Sequence, residues 1–229
     1  GIRDCLLSRG LGDVYKRQDK KNIISEYNNK GYRDAKITND TIYLNDDNTV
    51  TIEINLDEGD PYLFGNINFI GNTKYTNEEL LNQLGIDSGD VFNQSILDAR
   101  LFGSQEGNDI SSLYLDDGYL FFNATPVEVS TNNNSIDLEI RLYEGNQAKI
   151  NKVSVKGNTK TQDHVIMREL RTKPGDLFKR SDIMRSQREL AQMQYFDPEA
   201  FDVKIDPKPA RNEVDITYIV SEKSSDQIQ

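Results

Sequence analysis

The sequence predicts an α+β chain of tandem βααββ modules, each a three-stranded mixed sheet with two helices on one face. Three observations carry that expectation: a stretch that occurs twice, a closing strand that occurs three times, and apolar spacing that switches between period 2 and a helical period. Gly71-Asn-Thr-Lys74 returns as Gly157-Asn-Thr-Lys160, an offset of 157 − 71 = 86, and Gly89-Asp-Val-Phe92 returns as Gly175-Asp-Leu-Phe178 at the same offset. The match runs without a gap from Gly59/Gly145 to Ser95/Ser181 and holds nine identities between Gly71 and Ser95. Self-similarity at a fixed offset is the mark of stacked structural units.

The leading residues Gly1–Gln18 have no counterpart in either copy and resemble translated adapter sequence, so we set them aside as a segment expected to be non-native. What remains is 229 − 18 = 211 residues with 23 basic and 36 acidic side chains, a balance of −13. An acidic surface is a poor match for a phosphate backbone, which argues against a nucleic-acid partner. The apolar residues never run to the 18–20 that a membrane helix requires.

Lys20–Lys30 has a helical pattern stopped by Gly31. Two alternating strands follow, Tyr32–Tyr43 and Val50–Leu56, joined by the turn formers Asn45–Asn48. Val50–Gly59 aligns with Ile136–Gly145 at the same offset, and Val214–Lys223 is a third version of this closing strand. There are therefore three closing strands and two opening ones. The expected domains are a shortened module at 19–60, a complete one at 61–147 and another complete one at 148–224.

The middle copy sets out the order within a module. A strand is expected over Tyr62–Ile70, helices over Asn77–Leu84 and Gln94–Asp117, and strands over Phe121–Ser130 and Ser135–Tyr143. Thr76 with Glu79 fits a capping box, and Asp163 is placed to cap the equivalent helix of the last copy. Gly71 and Gly157 are expected as turn residues between strand and helix. Gly89 and Gly175 are expected to close the short helices, with Phe92 and Phe178 plugging the core beneath the turn. An irregular insertion near 102–109, with two glycines, predicts a break in the second helix that the continuous Ile183–Tyr195 lacks.

A strand-helix-helix-strand-strand module in tandem resembles the POTRA (polypeptide-transport-associated) domain. Gly157-Asn-Thr-Lys160, Val165–Leu170, the Arg-rich helix ending in Tyr195-Phe196, and Val214–Lys223 resemble the barrel-proximal POTRA domain of BamA-type outer-membrane protein assembly factors. The resemblance implies a non-enzymatic receptor at the periplasmic face of the bacterial outer membrane. Its partners would be unfolded outer-membrane proteins, accessory assembly lipoproteins and chaperones, and a β-barrel would follow after Ser224–Gln229. It also implies that the first strand of each hairpin lies at a sheet edge: Ala35–Tyr43, Asn123–Ser130 and Phe201–Asp206. On those edges Ala35, Ile37, Val127, Val129, Phe201, Val203 and Ile205 are the residues expected to meet an extended client, with Pro126 blunting the middle edge. The insertion and Pro174 depart from the family pattern, so accessory contacts do not carry over.

Catalytic and metal chemistry find little support. His164 is the only histidine and Cys5 the only cysteine, so a Cys/His metal centre is excluded by count. The pairs Asp46/Asp47 and Asp116/Asp117 lack the spaced oxygens of a calcium loop and read as turn residues. No catalytic residue, metal or cofactor is assigned. The readings held beside the main one are a related secretion or autotransporter-assembly barrel protein and, from another class, a carboxylate-based hydrolase.

Overall fold

The computed structural model describes residues 11–47, 49–103 and 107–223. Expectations for Gly1–Gly10, Asn48, the centre of the insertion and Ser224–Gln229 lie outside the described residues. Among those described, one compact unit comprises the chain up to Asn68 with 85–98 and 126–139; the other comprises 69–84, 99–125 and everything from Ile140.

The first repeat contains α1 (Leu11–Asn29), β1 (Lys36–Leu44) and β2 (Val50–Asp57), with β1 and β2 forming a two-stranded antiparallel sheet. Helix α1 begins at Leu11, earlier than the expected Lys20. The middle repeat runs β3 (Leu63–Ile70), α2 (Asn77–Leu84), α3 (Gln94–Phe102), α4 (Ile110–Asp116), β4 (Asn123–Asn132) and β5 (Ser135–Tyr143). The last runs β6 (Lys149–Lys156), α5 (Asp163–Met167), α6 (Arg180–Gln192), β7 (Asp202–Lys208) and β8 (Glu213–Ile219). The two three-stranded sheets have the orders β3-β5-β4 and β6-β8-β7, so the closing strand is central in each. In the last repeat β6 runs parallel to β8 and β7 antiparallel to it, which makes the sheet mixed.

Burial follows from the alternation. Val214, Ile216 and Tyr218 of β8 point to one face and are fully covered by Ile166, Leu170, Ile183 and Leu190 from the helical side, together with Ile150, Phe178 and Phe196. The opening strands do not alternate cleanly, however. The ladder between β6 and β8 slips between Ile150 and Lys152, leaving Asn151 as a bulge whose Nδ2 donates to Asp215 Oδ1 at 2.6 Å. Gly65 stands at the same position of β3, which buries Phe64, Ile67 and Phe69, and the Asn66 amide donates to Asp137 Oδ1 at 2.7 Å.

The second helix of the middle repeat does break. Helix α3 ends at Phe102, and α4 restarts with Asp109 as its N-cap, accepting the Ser112 amide at 2.8 Å. The Thr76/Glu79 capping box forms in both directions, at 2.8 and 3.3 Å. Asp163 does not cap α5; it is the first helical residue, its carboxylate receives Asn158 Nδ2 at 2.7 Å, and Gln162 holds the cap position. Gly89 and Gly175 do not close helices either. Helix α2 stops at Leu84 and α5 at Met167, and both glycines lie in later turns at φ +97° and +94°.

Each repeat joins the next by the same backbone device. In the first unit the Tyr62 amide donates to the Gly31 carbonyl at 2.8 Å, and Ser95 Oγ donates to Asn29 Oδ1 at 2.9 Å. In the second unit the Ala148 amide donates to the Gly118 carbonyl at 2.8 Å, and the Ser181 amide donates to Asp116 Oδ1 at 2.7 Å. Asp116 is thus a joint residue, not only a turn former. The second joint is strengthened by buried Asp109, which takes Ser112 Oγ at 2.6 Å while Arg180 donates to the same hydroxyl at 2.8 Å.

Candidate functional site

A sheet edge binds only if its outward backbone groups are not already taken, so we follow each edge in turn. The opening strands cover their own. Where β6 begins, Ile150 donates to the Asp176 carbonyl at 2.8 Å, and the Gly175 amide returns to the Ile150 carbonyl at 2.7 Å. Phe178 then donates to the Ala148 carbonyl at 3.0 Å and buries its ring. The first unit repeats this: Phe64 with Asp90 and Gly89 at 2.8 and 2.7 Å, and Phe92 with Tyr62 at 2.9 Å. The Gly-Asp-Val/Leu-Phe turn is therefore an edge cover, and its glycine supplies the positive φ that folds it back.

The hairpin strands are different. β4 and β7 are terminal in their sheets, as expected, and among the described residues β1 pairs only with β2. Phe201 lies just before β7 and, like Val203 on it, is half-buried against the core, and Ile205 is 39% exposed. Antiparallel pairing points alternate amides outward, which groups Val203, Ile205 and Pro207. The Val203 amide is held by Asp202 Oδ1 at 2.8 Å and Pro207 has none, so Ile205 alone offers a donor. On β4, Val127 is half-buried and Val129 is 62% exposed, with Pro126 beside them.

On β1 the expected residues are split. Ala35 is buried and lies before the strand, and Ile37 is half-buried beside Ile24 in a groove under α1. Asn45 donates to the Thr49 carbonyl at 2.8 Å, and alternation from that pair turns the amides of Thr41 and Tyr43 toward β2 and that of Ile42 outward. No proline interrupts β1.

One constellation was not read from the sequence. Glu144 follows β5 and grips the loop after β3: the amides of Thr73 and Lys74 donate to Oε1 at 2.8 and 3.0 Å, Thr73 Oγ1 donates to Oε2, and Tyr114 Oη donates to Oε1 at 2.9 Å. Glu222 grips the loop after β6 in the same way, accepting from Thr159 Oγ1 at 2.7 Å and from the amides of Lys160 and Thr161 at 2.9 and 2.7 Å. Burial pushes the Glu144 carboxyl up, but the donors outweigh it and hold it below the usual range. The Thr159 hydroxyl, then the Thr161 amide, bring Glu222 down to about 2. Gly71 and Gly157 belong to this clasp, since an added Cβ would meet the carbonyl oxygens of Leu142 and Val220. The available signal was the glutamate recurring at the end of all three closing strands. His164 is exposed in the first turn of α5, and no cluster of metal-binding side chains occurs among the described residues.

The family model described as POTRA, surface antigen variable number repeat, matches residues 7–59, 62–145 and 148–223, one span for each repeat. The chain belongs to the POTRA family. Both the first matched span and α1 reach into the leading segment 1–18. This POTRA chain is 29% identical over 217 residues to the outer membrane protein assembly factor BamA of Nitratidesulfovibrio vulgaris, covering 94% of the chain and 27% of that protein. With BamA of Neisseria meningitidis serogroup B it shares 27% over 213 residues, covering 91% and 26%. It therefore spans about a quarter of the length of these relatives. The crystal structure of Haemophilus influenzae BamA POTRA3-5 superposes with a TM-score of 0.69 at 25% identity, covering 90% of this chain and 80% of that one. The chain is a POTRA region of the BamA type, and the mixed three-stranded sheets are those of POTRA domains.

Proposed function

We propose that this POTRA region works without catalysis at the periplasmic face of the outer membrane. It receives unfolded outer-membrane proteins by strand addition and passes them to a β-barrel, beside accessory lipoproteins and chaperones. Backbone pairing reads little sequence, which suits a receptor with many clients. The observation that carries this reading is the contrast between edges: each opening strand is covered by its own turn, and each first hairpin strand is not. Among the latter, β1 is the preferred edge. Pro126 blunts β4, and Asp202 with Pro207 leaves β7 a single outward donor at Ile205.

Proline scanning with a labelled unfolded barrel peptide tests this. Ile42→Pro removes an outward amide and is expected to weaken peptide binding several-fold with the thermal midpoint nearly kept, because one backbone bond is worth about 0.5–1.5 kcal/mol. Thr41→Pro removes an amide turned toward β2 and is expected to lower the midpoint. Binding that survives Ile42→Pro and Ile205→Pro but is abolished by side-chain changes such as Lys204→Ser would overturn strand addition.

A further inference from the structure

The cations around one depression of the last repeat have no counterparts in the middle one. The depression has a volume of about 560 Å³ and lies between the segment after α5 and helix α6. Arg168, Arg171 and Lys173 line it together with Glu169, Asp176 and Glu189, three charges of each sign. The fold does not demand the positive ones. At the 86-residue offset the middle repeat has Asn82, Gly85 and Asp87 in the places of Arg168, Arg171 and Lys173. It builds the corresponding helix and turn without them.

Part of the wall is fixed. The Arg171 guanidinium grips the Glu189 carboxylate through Nε and Nη2, at 3.1 and 2.6 Å, and the Arg171 amide donates to buried Ser186 Oγ at 2.9 Å. That hydrogen-bonded guanidinium holds the Glu189 carboxyl below its usual range, so the pair stays charged at neutral pH. The other groups have bonding capacity left. Arg168 uses its Nε on Glu169 Oε1 at 2.9 Å, which leaves both terminal nitrogens for a ligand. Lys173 and Asp176 are exposed, and their side chains have no partner among the described residues.

This balance selects a ligand class. An acidic segment would be repelled by the three carboxylates and a basic one by the three cations. A small molecule carrying an anion and an ammonium a few bonds apart matches both. We propose that the depression is a binding site for a zwitterionic phospholipid headgroup, phosphoethanolamine. Its phosphate would lie against the terminal nitrogens of Arg168 and the Lys173 ammonium, and its own ammonium against Asp176 and Glu169. Arginine offers a phosphate two parallel donors, and the ligand's N–H groups give charge-assisted bonds to the carboxylates. A quaternary choline headgroup has no N–H to donate, so the site separates the two. The membrane setting rests on the function proposed above, whereas the choice of headgroup rests on the depression itself.

The whole chain is titrated with glycerophosphoethanolamine and followed by NMR chemical shifts, with circular dichroism to confirm that every variant folds. Saturable shifts are expected in the segment after α5 and in α6. Phosphatidylcholine vesicles containing phosphatidylethanolamine should retain more chain than phosphatidylcholine vesicles alone. Lys173→Glu and Asp176→Lys should each weaken binding about fivefold, since exposed ion pairs are individually weak. Lys173→Arg should preserve it, and Asp87→Asn in the middle repeat should leave it unchanged. The proposal is overturned if no shift saturates or if glycerophosphocholine binds equally well. It is also overturned if inorganic phosphate or phosphatidylglycerol vesicles bind as tightly, since that is attraction of any anion. Capture of the unfolded barrel peptide is measured on the same sample. Headgroup binding that is absent while the peptide is still captured overturns this site and leaves strand addition standing.

Discussion

The clasps of the middle and last repeats share their geometry and differ in their surroundings. Glu144 is buried, and the hydroxyl of the fully buried Tyr114 shares it, inside a cluster where Tyr114 stacks on Phe122 at 4.1 Å and meets Tyr75 edge-on at 5.0 Å. Glu222 is half-buried and, among the described residues, is held by threonine and backbone donors. A buried carboxylate is costly to desolvate, so its donors first repay that cost before they stabilise anything. A half-buried one keeps part of its water and gains less, and water can replace it when it is lost. One motif thus gives the middle repeat a structural linchpin and the last repeat a surface latch.

The strongest way to break this comparison is to remove both carboxylates in turn. Glu144→Ala leaves the buried Tyr114 hydroxyl and the Thr73 donors without an acceptor, and is expected to cost about 3 kcal/mol or more by urea unfolding. Glu222→Ala is expected to cost clearly less, because water replaces the carboxylate. If the order is reversed, burial is not what separates the two clasps.

A milder change sharpens the same point. Tyr114→Phe keeps the ring stacking and removes one of four donors to Glu144, so a loss of about 1 kcal/mol is expected in the same measurement. A loss as large as that of Glu144→Ala would mean that the hydroxyl, not the loop, holds the carboxylate.

The smallest effect is read from pH. Glu222 titrates at about 2 in the folded chain, below its unfolded value, so the unfolded state binds the proton first. Its contribution is complete above the unfolded carboxylate pKa near 4.3 and is lost as pH falls through about 2. Glu222→Gln should therefore flatten the decline in stability across that window. An unchanged slope there would remove Glu222 as its source.

Much of this was legible in the residues. The 86-residue offset located both opening strands and both turns, because each depends on local chemistry that repeats with the sequence, and the glycines of the insertion marked the helix break near Phe102. The hairpin tip at Asn133-Asn134 has both residues at positive φ, a conformation that asparagine tolerates. Other features misled. Gly89 and Gly175 read as helix stops because a glycine after a helical pattern is a common stop, yet their turns pair back onto residues more than 20 positions away. Asn151 concealed a bulge, since an extra residue in a strand leaves no mark in composition.

The sequence by itself determined the repeat, the order of strands and helices, and which faces are apolar, all of which follow from spacing along one segment. Tertiary structure alone decided which edges are open and which glutamates are clasps. An edge is defined by what fails to pair with it, and Glu58, Glu144 and Glu222 are chemically the same residue at the same place in three closing strands. Only the Gly-Asn-Thr-Lys loops brought against two of them, 71 and 63 residues away in sequence, set those two apart from the third.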